Sequence, residues 1–329
     1  MGVCFGLVKI VSLLASGTEL CCALGAGDRL VGRSHECDHP AWVGRLPAVS
    51  EPTFDVSGSS GEIDQRVRAR LRAGEPLYRV DEDLLLRLAP DVLITQTHCE
   101  VCAVTPGDLA HGGAGRERGG QGPARERGAA RLQRRQVVAL AAGTLAGILD
   151  GFRGVAAVLD LAPAGERLIA EIEARLRAVA TEVAELRRPT VVCLEWIEPL
   201  FCMGNWGPEM VALAGGDNLL GAAGVHSTTV GWPSVRDADP EVLVVAPCGF
   251  SLSRTAAEMP TLEALPGWAD LRAVRTGRVY LADGNLYFNR SGPSVFVTPR
   301  ILAEILHPTA LAPTLEGQAW RQHGAGRHG

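Results

Sequence analysis

Lysine is almost missing from this chain: of its 32 basic residues only Lys9 is lysine, and the other 31 are arginine. That scarcity excludes two chemistries. A phosphate-binding P-loop needs a lysine after its glycines and a pyridoxal enzyme needs one for its Schiff base, whereas Lys9 sits inside an apolar run. A strong excess of one charge is missing too. With 32 basic and 37 acidic residues the net charge is −5, so the global attraction to nucleic acid or anionic membrane that a basic protein has is not expected. No apolar run approaches the roughly 18 residues of a membrane-spanning helix. Catalytic signatures are lacking as well: no GxSxG elbow, HExxH or GxGxxG motif falls between strand and helix, and no Ser, His and Asp set suggests itself. Binding without turnover is therefore expected rather than enzymatic activity.

What is present is enough apolar material for a sizeable core. The 329 residues are 47% hydrophobic and 21% charged, which excludes disorder throughout and suggests two domains of about 150 residues each. Nine cysteines are an odd number. Cys21 and Cys22 are adjacent, and Cys193, Cys202 and Cys248 lie in or beside apolar runs. Buried thiols in a reducing compartment fit this better than a disulfide framework. The apolar opening, Met1 to Leu14, has no basic stretch before it and is interrupted by Lys9, so it reads as a first β-strand rather than a signal peptide. As written, the chain is expected to be cytoplasmic.

Short apolar runs at Lys9–Leu13, Asp91–Thr95, Gln136–Leu140, Thr190–Leu194, Glu241–Ala246 and Arg278–Ala282 alternate with helix-like segments. That alternation predicts an α/β fold of two Rossmann-like lobes with parallel sheets. Between Pro163 and Arg188, Leu168, Ile172, Leu176, Val179, Val183 and Leu186 recur at steps of three and four, as on one face of a long backbone helix joining the lobes. The expected division is a first lobe over 1–162, the linking helix over 163–188, a second lobe over 189–308 and an unstructured tail over 309–329. The two halves echo each other, Leu88-Ala89-Pro90-Asp91-Val92 against Ala238-Asp239-Pro240-Glu241-Val242. His111–Arg135 breaks the pattern with seven Arg and seven Gly. It reads as a disordered insertion, with a polyanion-binding arm as the alternative.

In such sheets ligands meet the loops leaving the carboxyl ends of the strands. After the first strand, Ala15-Ser16-Gly17-Thr18-Glu19 suits an anion-holding turn or an ordinary helix cap. Ser34-His35-Glu36-Cys37-Asp38-His39-Pro40-Ala41-Trp42 gathers two His, a Cys, two acids and a Trp. Past the Asp91 strand come Gln96, His98, Cys99, Glu100 and Cys102. His98, Cys99 and Cys102 are metal-ligand types, and polar lining, metal binding and a redox dithiol all stay open for them. The second half places Trp196, Trp206, Trp232 with Pro233, and Tyr287, Phe288 and Arg290 in predicted loops, an arrangement suited to a flat, partly apolar ligand.

Together, Ile10-Val11-Ser12-Leu13 through Thr18-Glu19-Leu20, Leu30-Val31-Gly32 before the Ser34–Pro40 loop, Leu88 to Ile94, the central helix, Gly215-Gly216-Asp217-Asn218 and Tyr280 followed by Asn285 to Pro293 carry a resemblance. The chain resembles the iron-siderophore and vitamin B12 group of ABC-importer substrate-binding proteins, and within it the cobalamin-binding branch. The resemblance implies a non-catalytic, monomeric protein that binds cobalamin or an iron chelate in a cleft between two lobes. Asp38, His39, Pro40, Trp42, Gln96, Trp196, Trp206, Trp232, Pro233, Tyr287, Phe288 and Arg290 would form the site. It implies no required cofactor, leaves a metal ion at His98, Cys99 and Cys102 open, and makes an ABC permease the partner. Glu100 is the docking candidate on the first lobe, while Pro233-Ser234-Val235-Arg236 stands where a second docking Glu would be expected. Family members are normally exported, so a periplasmic or cell-surface location follows if the start is mis-assigned. A soluble carrier, or a metal-binding sensor or enzyme using His98, Cys99 and Cys102, is the alternative.

Overall fold

Strands form where the sequence has short runs of Val, Ile and Leu bounded by Pro, Asp or Gly, and these positions are the core. The computed structural model describes residues 8–97, 101, 103–105 and 135–324. The chain divides into two compact units, the first made of Met1–Val56, Gln65–Ala142 and Gly147–Ile169 and the second of Ser57–Asp64, Gly143–Ala146 and Ala170–Gly329.

In the first unit, β1 (Ile10–Ser12), β2 (Leu30–Arg33), β5 (Val92–Gln96) and β6 (Gln136–Leu140) form a parallel sheet in the order β2-β1-β5-β6. A separate antiparallel pair joins β3 (Ser50–Pro52) to β4 (Tyr78–Val80). Helices α1 (Ala15–Ala23) and α3 (Glu82–Leu88) accompany them, with most of α2 (Ser60–Ala73) and α4 (Leu145–Val158), while α5 (Ala162–Val183) belongs to this unit through Ile169 and to the second unit from Ala170. Strand β5 is buried along its whole length, as expected of a strand inside a parallel sheet covered on both faces. Gly17 lets α1 lie on that sheet, because a β-carbon there would meet Ser12 Oγ at 2.7 Å and Ile94 Cγ2 at 2.8 Å.

The second unit is built on β7 (Thr190–Trp196), β8 (Phe201–Cys202), β9 (Asp217–Asn218), β10 (Thr228–Thr229), β11 (Val242–Val245), β12 (Val279–Ala282) and β13 (Trp320–Gln322), in the order β10-β8-β7-β11-β12-β13, with β9 also pairing β7. Strands β9, β7, β11 and β12 run parallel, while β8, β10 and β13 pair antiparallel. Around them lie α6 (Gly207–Leu213), α7 (Trp232–Ala238), α8 (Leu252–Glu263), α9 (Arg272–Arg275) and α10 (Thr298–Leu306). The echo between the two halves is geometric. Helices α3 and α7 both end on a left-handed residue, Ala89 at φ 47° and Asp239 at φ 37°, followed by a proline and then a buried strand.

Two expectations need correction. The central helix ends at Val183 rather than Arg188, because Ala184 and Leu186 turn back onto Thr181 and Val183 in tighter three-residue bonds. Beyond that turn Arg187 pairs with Glu241 at 2.7 Å and Arg188 with Asp217 at 2.8 Å. The tail is also ordered through Gly324: β13 extends the sheet antiparallel to β12. Its anchor is Glu304 on α10, whose carboxylate is fully buried. It accepts from Thr314 Oγ1 at 2.5 Å, Leu315 N at 3.0 Å, Trp320 Nε1 at 3.0 Å and Arg300 Nε at 3.2 Å. The insertion expected over 111–135 lies outside the described residues except for Arg135. No helix among the described residues is long and apolar enough to cross a membrane.

Burial alone would raise the Glu304 carboxyl, but the bonds from Thr314, Trp320, Leu315 and Arg300 outweigh it and hold the group below its ordinary 4.5. The unfolded chain therefore binds the proton more readily. Glu304 contributes its full stability above pH 4.5, and that contribution is lost as pH falls through the folded value. Glu304→Gln is expected to cost on the order of 2–4 kcal/mol in urea unfolding at pH 7, since it removes the charge from several buried bonds, and to flatten the acid limb of the stability profile. Limited proteolysis should then cut within 309–324 before it cuts elsewhere.

Candidate functional site

The three central parallel strands of the second unit end side by side, and backbone bonds stitch their exit loops together. Ala246 N donates to Leu194 O at 2.8 Å and Cys248 N to Glu195 O at 2.9 Å, which ties the β11 exit to β7. Asn285 N donates to Phe250 O at 3.1 Å, and Asn289 Nδ2 donates to Ala246 O at 2.9 Å, which ties the β12 exit to β11. This last loop is a single π-helical turn, Gly284–Phe288, started by Asp283, whose side chain accepts from Leu286 N at 2.8 Å. Gly284 is required there because a β-carbon would collide with the carbonyl oxygens of Ala246 and Pro247.

On this frame stands an aromatic and cationic cluster. Trp196, half-buried at the end of β7, lies 5.2 Å from the Phe250 ring at 59°. Arg254, in the first turn of α8, places its guanidinium carbon 3.9 Å from the centre of the Phe250 ring and donates to Gly58 O at 3.3 Å. Ser251 caps that helix, its hydroxyl accepting from Arg254 N. One turn further along α8, Glu258 accepts from Ser60 N at 2.9 Å and Ser60 Oγ at 2.7 Å. Phe250 and Arg254 were not among the sequence candidates. Nothing in a one-dimensional pattern marks Gly249-Phe250-Ser251 as the loop that faces Trp196, although Ser251 three residues before Arg254 is a helix-start signal.

The other candidates fall in several places. Trp206 is buried and its indole N–H donates to Phe288 O at 2.9 Å. Phe288 is fully buried and Tyr287 is 8% exposed, so both belong to the packing beneath the π-turn. Arg290 is buried and donates to Asn285 Oδ1 at 2.7 Å. Trp232 stacks on Trp268 with ring centres 6.2 Å apart and donates to Pro266 O, while Pro233 beside it is exposed at the start of α7.

In the first unit, Asp38 and His39 are exposed, Pro40 is half-buried, and Trp42 is 41% exposed. Gln96 is buried and donates to Ala103 O at 3.0 Å. The Ser34–Pro40 loop also holds a hydroxyl and imidazole cluster. His35 Nδ1 lies 3.0 Å from Ser50 Oγ, and its ring is 5.3 Å from the Tyr78 ring. Beneath it Thr18 Oγ1 lies 3.0 Å from the buried Cys37 Sγ. His98, Cys99, Glu100 and Cys102 lie outside the described residues. Among the described residues no group of three or more His, Cys, Asp or Glu side chains is placed to hold a metal ion.

With this geometry in view, residues 131–286 match the family model described as periplasmic binding protein. The match spans just under half of the chain, and the likeness to solved periplasmic binding proteins is one of fold. No curated protein matches the sequence. Among solved structures, a periplasmic haem-binding protein from Pseudomonas aeruginosa is 22% identical, with a TM-score of 0.66 over 92% of this chain and 94% of that one. The periplasmic haem-binding protein RhuT from Roseiflexus sp. RS-1 is 24% identical, at 0.63 over 93% and 100%. The periplasmic vitamin B12 binding protein BtuF of Vibrio cholerae is 19% identical, at 0.59 over 91% and 96%.

Burial, and then the neighbouring Arg33, hold the His35 imidazole below its ordinary 6.5, with Glu51 opposing them. The native state favours the neutral ring, so stability from this group is complete above pH 6.5 and declines as pH falls from there toward the folded value. An NMR titration of the imidazole carbon-bound protons should give a midpoint below 6.5 for His35. A midpoint at or above that value would contradict the assignment.

Proposed function

We propose that the protein is a non-catalytic carrier of a metal macrocycle or ferric chelate, of the kind that haem and cobalamin represent, and that it delivers this ligand to an ABC permease. The observation that carries the reading is the Trp196, Phe250 and Arg254 cluster on stitched strand-exit loops, the position where open α/β sheets bind ligands. A half-exposed indole over a fixed phenyl ring offers apolar area to a flat ligand without needing to be ordered at the moment of binding. The match of residues 131–286 to the periplasmic binding protein model supports the carrier role, and the haem and vitamin B12 proteins that share the fold support the ligand class. In this reading the ligand is the cargo and no further cofactor is needed. The carrier is monomeric, and it works on the permease's outer side, in the periplasm or at the cell surface.

The test is titration of the purified protein with haemin, cyanocobalamin and a ferric siderophore, read by tryptophan fluorescence corrected for ligand absorbance and by the visible spectrum. Saturation at one equivalent by one of the three is expected. Trp196→Ala is the informative variant because Trp196 is half-exposed, whereas Phe250→Ala would cost about 3–5 kcal/mol of folding stability. Removing the indole should weaken binding about tenfold, the equivalent of one stacked aromatic contact. Silence from all three ligands would overturn the proposal.

A further inference from the structure

Each ring of the Trp196 and Phe250 pair has a partner that also meets one short stretch of chain. The Trp196 indole donates to Glu198 O at 3.1 Å, and the Glu198 carboxylate lies against Gly61, where a β-carbon would come within 2.5 Å of it. Arg254, stacked on Phe250, donates to Gly58 O at 3.3 Å. Gly58 and Gly61 belong to Ser57–Asp64, which is part of the second unit although the chain on either side of it is part of the first. From Ser57 to Gly61 this stretch reads Ser-Gly-Ser-Ser-Gly. It has no apolar side chain to bury, so its place rests on polar bonds, and a segment held that way opens at lower cost than one packed into a core. Its helix start is satisfied locally: Ser59 N donates to Glu62 Oε2 at 2.8 Å and Glu62 N to Ser59 Oγ at 3.2 Å, a reciprocal cap for α2. The bond to the second unit comes from Glu258 on α8. Its Oε1 accepts from Ser60 N at 2.9 Å and its Oε2 from Ser60 Oγ at 2.7 Å. Ser60 is fully buried and Glu258 is 8% exposed, whereas Val56, Ser57 and Gly58 just ahead are exposed. A two-point bond to a charged group shielded from water is a strong fastening, and here it is concentrated at one serine.

We infer that Ser57–Asp64 is a lid on the Trp196 and Phe250 site, latched by Glu258 to Ser60, and that the ligand enters and leaves when the latch opens. This inference rests on the carrier reading above and adds how that site exchanges its ligand. A lid that closes over the free and the loaded site alike slows both entry and exit. Weakening its latch therefore raises both rates and leaves the affinity nearly unchanged.

The experiment compares wild type with Glu258→Gln and Ser60→Ala, with thermal midpoints recorded to establish that each variant folds. Amide hydrogen exchange of the protein without ligand should quicken within 57–64 in both variants and stay as in wild type in β7 and β11. Stopped-flow mixing with haemin, cyanocobalamin and a ferric siderophore then follows whichever of them binds. The association and dissociation rates should each rise about tenfold, the worth of one charge-assisted bond, while Kd stays within about twofold. Unchanged exchange within 57–64, unchanged rates in spite of faster exchange, or a faster dissociation alone with loss of affinity would each overturn the lid. The carrier reading survives all three outcomes, because wild type still binds. If wild type binds none of the three ligands, the carrier reading falls and the lid falls with it.

Discussion

Strand β11 has no side chain in contact with solvent: Val242, Leu243, Val244 and Val245 are all fully buried, and so are Val191 and Val192 of the neighbouring β7. Strands covered on both faces cannot carry polar groups cheaply, since each would need a partner away from water. Every group able to meet a ligand is therefore displaced to the ends of the strands. The ladder bonds that hold β7, β11 and β12 in parallel register continue past the strands, through Ala246, Cys248, Asn285 and Asn289, into the exit loops. A site on those loops inherits the rigidity of the sheet, which is why Trp196 and Phe250 hold a fixed ring geometry although neither lies within a helix.

The charged residues follow the same logic in reverse. Glu304 and Glu241 are buried acids, and each is surrounded by donors that repay the loss of water: four bonds for Glu304, and Arg187, Arg272 and the Thr190 backbone for Glu241. Glu304 fastens the C-terminal segment, so that β13 can cover the open edge of β12. Glu241 anchors the chain where it enters β11. Both are structural uses of charge, distinct from Arg254, whose clamp is an aromatic ring.

Much of the architecture was legible in one dimension. The runs at Asp91–Thr95, Gln136–Leu140, Thr190–Leu194, Glu241–Ala246 and Arg278–Ala282 correspond to observed strands within a residue or two, because an apolar run between breakers has few other ways to bury itself. The left-handed caps at Ala89 and Asp239 explain why two unrelated-looking segments echoed each other. The long helix was readable to within a turn of its end, where the pairing of Arg187 and Arg188 with partners 54 and 29 residues away decides the direction of the chain. The ordered tail was not readable, since its one buried anchor depends on Glu304, which looks like any polar residue on an amphipathic helix.

The candidate site divides along the same line. Composition and periodicity by themselves determined that this is an α/β fold with aromatics concentrated at strand ends, because burial of β-branched runs and exclusion of polar groups from them are properties of the local sequence. Which aromatics face outward was decided only by tertiary structure. Trp206 and Phe288 pack inward and Trp232 stacks on Trp268, while Trp196 meets Phe250, which carries Arg254 over its ring, across two segments far apart in the chain. The reason is physical: a loop residue's partners are set by the strand register and by backbone bonds between neighbouring exits, and neither is written in the residues that flank it.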